Sequence, residues 1–82
     1  MTPTVFELGE QRLLAAEHQE KARRQYEGIR RSLKRRGIDG DTDAAAMAAL
    51  AVYQHTQVRY EEARRAHAIG LAADLKAREH ST

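Results

Sequence analysis

The residues able to do metal or acid–base chemistry set the first question. Asp39, Asp41 and Asp43 occupy alternate positions in Asp39-Gly40-Asp41-Thr42-Asp43. That spacing opens an EF-hand loop, where carboxylate oxygens at every second residue converge on calcium. Such a loop also needs glycine at its sixth position and a bidentate glutamate at its twelfth. Ala44 and Leu50 stand there instead. The triplet therefore reads as a helix-to-helix turn with acidic capping residues.

The four histidines are His18, His55, His67 and His80. None has another histidine or a glutamate three or four residues away. Two ligands on one helical face need that spacing, as in helical di-iron and zinc motifs. No cysteine is present, which removes thiolate metal sites and disulfides. No nucleophile–base arrangement, glycine-rich phosphate loop or dinucleotide fingerprint is legible. The sequence therefore implies no catalytic residue, no metal and no cofactor, and reads as a non-enzyme.

Charge carries more information. The 82 residues hold 14 Lys+Arg and 12 Asp+Glu, a net +2, but the charges are segregated. Residues 1–20 contain Arg12 against four glutamates, net −3. Residues 21–36 contain Lys21, Arg23, Arg24, Arg30, Arg31, Lys34, Arg35 and Arg36 against Glu27 alone, net +7. The stripe Arg23, Arg24, Arg30, Arg31, Lys34, Arg35 and Arg36 is the candidate binding surface. It suits an acidic protein partner, including the acidic segment of another copy, or nucleic-acid phosphates. Cations near a helix C-terminus also complement the helix dipole without any partner.

These residues need elements to hold them. The only cluster of helix breakers is residues 37–43, and both flanks are rich in Ala, Leu, Glu, Arg and Gln, which favour helix. Thr4 and Glu7 have capping-box spacing. Gly37 fits the left-handed position that ends a helix, with Ile38 folding back on Leu33. Asp41 or Thr42 is placed to cap the second helix, with Asp43 in its first turn. The expected fold is all-α: an antiparallel two-helix hairpin with helices over about 4–36 and 42–78, as one domain.

In helix 1, positions 5, 8, 12, 15, 19, 22, 26, 29 and 33 step by three and four, and seven of the nine are apolar or aromatic. This is a heptad seam with a polar middle at Arg12 and Gln19. In helix 2 the row 45, 49, 52, 56, 59, 63, 66, 70, 73, 77 is mostly alanine and glycine. A second row carries Leu50, Tyr53, Tyr60, Ile69, Leu71 and Leu75. Two faces on one helix call for two partners. Pairing of positions whose numbers sum to about 80 sets Tyr26 opposite Tyr53 and His67 near Arg12. It makes His55, near Ala22 and Tyr26, the histidine expected to be partly buried.

Residues 44–58 bear no charge, and a helix apolar nearly all round needs cover on more than one side. The expectation is self-association, two hairpins forming a four-helix bundle. Tyr26, Ile29, Leu50, Val52, Tyr53, Tyr60, Leu71 and Leu75 are the candidate contact residues. The tryptophan-glycine turn of small WXG-type helical hairpins is absent, the turn here reading Gly37-Ile38-Asp39-Gly40, so no family is assigned. No apolar run is long enough to span a membrane, and the N-terminus has no basic-then-apolar leader. The location expected is the cytoplasm. The reading is a protein–protein interaction module with a regulatory or structural role, and nucleic-acid binding through residues 21–36 is the alternative.

Overall fold

A computed structural model describes residues 2–80. It contains two helices, α1 (Val5–Arg35) and α2 (Ala44–His80), packed against each other. The hairpin measures 65 × 19 × 15 Å. No strand occurs among the described residues, and no helix is long and apolar enough to cross a membrane.

The helix ends are set by local chemistry. Thr4 is the N-cap of α1: its Oγ1 accepts from the Glu7 amide at 3.1 Å. At the other end Gly37 takes φ +72°, a conformation that costs an L side chain energy and glycine little. The Ile38 amide then donates to the Leu33 carbonyl at 2.9 Å and the Gly37 amide to the Lys34 carbonyl at 3.1 Å. This is the expected Schellman closure.

The start of α2 differs from expectation. Asp43 is the cap, its Oδ2 accepting from the Ala46 amide at 3.0 Å, and it precedes the first turn. Asp41 and Thr42 stay in the loop, where the Asp41 amide donates to Asp39 Oδ1 and Thr42 Oγ1 to the Asp39 carbonyl. A side chain can cap only the amides two or three residues ahead. Once Asp39 has drawn residues 41 and 42 into its own turn, Asp43 alone has that reach.

All nine seam positions of α1 are at least half-buried. The inward row of α2 is 46, 49, 53, 56, 60, 63, 67, 70 and 74, every one at least half-buried. It shares Ala49, Thr56, Ala63 and Gly70 with the anticipated small-residue row. Tyr53 and Tyr60 replace Val52 and Arg59, which face solvent. Both rows step by three and four. The choice between them falls to burying aromatic rings and leaving Arg59 in water. Tyr53 accordingly meets Tyr26, ring centroids 6.2 Å apart. The large residues of α2 thus form no separate face: Leu50, Tyr53 and Tyr60 are half-buried, while Ile69, Leu71 and Leu75 are exposed.

Close approach of the helices relies on small residues. A Cβ on Gly70 would lie 2.6 Å from Leu8 Cδ1. Only Ala22, Leu33 and Ala46 are fully buried among the described residues. Two helices share a single contact line and create little interior.

Candidate functional site: an apolar flank and a divided basic stripe

The basic stripe is not one surface. Arg23 is drawn into the helix's own carboxylates, donating through Nε to Glu20 Oε2 at 2.9 Å and through Nη1 to Glu27 Oε1 at 2.8 Å. Arg24 reaches Glu20 Oε1 at 3.1 Å. The hydrogen bond from Arg23, with further help from Arg24, holds the Glu20 carboxyl down at about 2. Glu20 and Glu27 in turn raise Arg23 above its ordinary value.

Arg30 is also engaged. Its Nη1 donates to the Tyr26 hydroxyl at 2.8 Å and approaches Asp41 Oδ1 at 3.4 Å, with the guanidinium carbon 5.7 Å from the Tyr26 ring centroid. The Tyr26 hydroxyl and then the Asp41 carboxylate raise its pKa. This contact ties α1 to the turn, so Arg30 has a structural partner.

The rest of the stripe is different. Arg31 makes only a 3.4 Å contact to the Glu27 carbonyl. Lys34, Arg35 and Arg36 are exposed, and none has a carboxylate partner among the described residues. Their mirror image lies at the other end of the same helix. Glu10 and Glu17 are exposed and have no ion pair among the described residues.

Of the candidate contact residues, Tyr26, Ile29, Leu50, Tyr53 and Tyr60 are half-buried within the hairpin. Val52, Leu71 and Leu75 are 55%, 41% and 60% exposed. Exposed apolar residues outside that set were missed: Phe6 at 73%, Leu13 at 68%, and Met47 at 55%. Phe6 and Leu13 fall outside the strict heptad seam, which is why a seam-based reading passes over them. Phe6 shares an open groove of about 1080 Å³ with Leu71 and Leu75 at the chain-termini end of the hairpin. With Leu13, Gly9 and Ala16 it also lines a groove of about 580 Å³ running toward Tyr60 and His67. Met47 and Leu75 are four heptads apart on α2, and Leu50 and Leu71 three. Both pairs therefore repeat on one flank. The result is two apolar patches on one broad side of the molecule, Phe6, Leu13, Leu71 and Leu75 near the chain termini and Met47 with Leu50 near the turn, with Gln54, Gln57, Glu61 and Arg64 at the same heptad positions between them.

The polar candidates are dispersed. Arg12 Nη1 lies 3.4 Å from His67 Nδ1, as the pairing rule anticipates. His55 is exposed, contrary to expectation, and His67 is half-buried instead. The antiparallel pairing sets Tyr53, two residues earlier, against Tyr26, and His55 is thereby turned onto the rim. There it lines a groove of about 490 Å³ with His18 and Arg59. Arg12 and His67 line one groove and Arg59 the other, so these residues form no common cavity. No group of three or more His, Asp or Glu side chains placed to hold a metal ion occurs among the described residues. The three turn aspartates are occupied with the loop, Arg30 and the α2 cap. The chain matches no known protein family, no curated protein and no solved structure.

Proposed function

We propose that this protein is a non-catalytic protein–protein interaction module, a helical hairpin that completes its fold by self-association into a four-helix bundle. The observation that carries this reading is the exposure of large apolar side chains. Among the described residues, ten of them are between 39% and 73% exposed, against three buried residues. Patches of exposed apolar side chains mark interaction sites on soluble proteins. Packing a second hairpin on the side that carries Phe6, Leu13, Met47, Leu71 and Leu75 would cover these patches.

Sedimentation equilibrium at micromolar concentration tests the reading, with twice the chain mass expected. Leu71→Asp with Leu75→Asp is expected to return the chain to a monomer, because each places a charge inside the new interface. A wild-type chain that stays monomeric overturns it.

The unpaired Arg31, Lys34, Arg35 and Arg36 favour one second reading, contact with nucleic-acid phosphates. Titration of a generic duplex at low and moderate salt tests it. Binding that weakens steeply with salt supports it, and no binding at low salt rejects it.

A further inference from the structure

Among the described residues, the same helix carries acids without an ion pair at one end and bases without one at the other. Within one chain they cannot meet, since Glu10 and Lys34 lie about 36 Å apart along α1 at 1.5 Å per residue. We infer that the basic half of α1 is the docking site for the acidic half of α1 in a second copy of this chain. The two hairpins then pack head to tail, with the two-fold axis perpendicular to the helices. The inference rests on the self-association proposed above and specifies its geometry.

Two hairpins stacked on their apolar sides with all neighbouring helices antiparallel have two symmetric solutions. With the axis along the helices, both turns lie at the same end. Two segments of net +7 then crowd together, each beside the uncharged stretch 44–58 of the partner. The three aspartates of each turn, with Asp41 already beside Arg30, offset only part of this charge, and like charges held at one end repel. With the axis perpendicular, each +7 segment lies along the partner's −3 segment.

The register is consistent with this pairing. α1 runs from Val5 to Arg35, so its midpoint is residue 20, and antiparallel overlap about that point sets opposite one another positions that sum to about 40. Glu10 then meets the partner's Arg30 and Arg31, and Glu7 lies close to the partner's Lys34. Tyr26–Tyr53 and Arg12–His67 fix the hairpin's own pairing at a sum of 79. The axis therefore crosses α2 near residue 59, which sets exposed Met47 against the partner's exposed Leu71. One geometry brings the opposite charges of α1 together and sets the Met47 patch of α2 on the partner's Leu71, while Phe6 and Leu13 come opposite the aliphatic stems of the partner's Lys34 and the partner's Glu27.

The area is adequate. The chain exposes 6586 Å², about 1,600 Å² more than the roughly 5,000 Å² of a compact monomer of its mass. A standard interface takes about 800 Å² from each partner.

Two measurements test the geometry on the full chain. The protein has no cysteine, so Thr2→Cys accepts a single spin label at the open end. Head-to-tail packing puts the two labels of a dimer about 50 Å apart, the length of α1. A separation of about 25 Å or less, two helix diameters, overturns the inference and leaves self-association standing. The second measurement pairs Glu10→Lys/Glu17→Lys with Arg31→Glu/Lys34→Glu. Each double variant alone is expected to dimerise at least ~10-fold more weakly, and an equimolar mixture to recover wild-type affinity as a heterodimer. Undiminished dimers from either variant, or a mixture no better than its components, overturn it. A wild-type monomer overturns both this inference and the reading beneath it. A monomer that binds generic duplex at low salt does so too, and assigns the stripe to nucleic acid.

Discussion

Arg23 and Lys34 are cations on one helix, eleven residues apart, with different surroundings. Arg23 is surrounded by Glu20 and Glu27 at i−3 and i+4, where side chains on a helix surface meet. Lys34 has no acid at those spacings, since Glu27 and Ile38 lie seven back and four ahead. The distinction is therefore readable from spacing, although the count of basic residues alone hides it. Glu20 reports on it. Its carboxyl is held at about 2 against an ordinary 4.5, the Arg23 hydrogen bond being the largest cause. A depressed folded value stabilises the folded chain fully above pH 4.5, and that contribution fades as pH falls toward 2. The groups are solvent-exposed, so the effect on stability is small. In a carboxyl NMR titration Glu20 is expected to titrate near 2. Arg23→Ala is expected to move the Glu20 midpoint up toward 4.5.

The elements were legible because their boundaries depend on local chemistry. The glycine-bearing turn, the Thr4 cap and the Gly37 closure each follow from side-chain reach or backbone sterics within a few residues. The α2 cap moved by one or two residues because Asp39 and Asp43 competed for nearby amides, a contest decided within the turn itself. The two glycines on either side of this logic give opposite expectations. Gly28 sits mid-helix, where a Cβ would meet nothing within 4 Å. Gly28→Ala is expected to stabilise by about 1 kcal/mol through helix propensity. Gly37 also has open space, but its φ of +72° makes Gly37→Ala cost about 1 kcal/mol. Urea denaturation followed by circular dichroism checks both. Similar effects at the two sites would remove the left-handed closure as the reason α1 ends.

At the scale of the whole molecule the chain is short of interior. Its fully buried residues are two alanines and a leucine among those described, while Phe6, Leu13, Ile69 and Leu75 are mostly open to water. Binding of a second copy to the folded state alone links stability to concentration. The thermal midpoint of the wild-type chain is therefore expected to rise with protein concentration, and that of Leu71→Asp/Leu75→Asp to stay fixed. Melts across a hundredfold concentration range measure this, and a concentration-independent wild-type midpoint would count against the bundle. The sequence by itself determined two antiparallel helices, the α1 seam and the separation of acidic from basic halves, because caps, breakers and charge order act over a few residues of chain. Only the tertiary structure decided which row of α2 faces inward, which histidine is half-buried, and which arginines are already paired. Rows 52/59 and 53/60 have the same periodicity, and only contact with Tyr26 and the rest of α1 tells them apart.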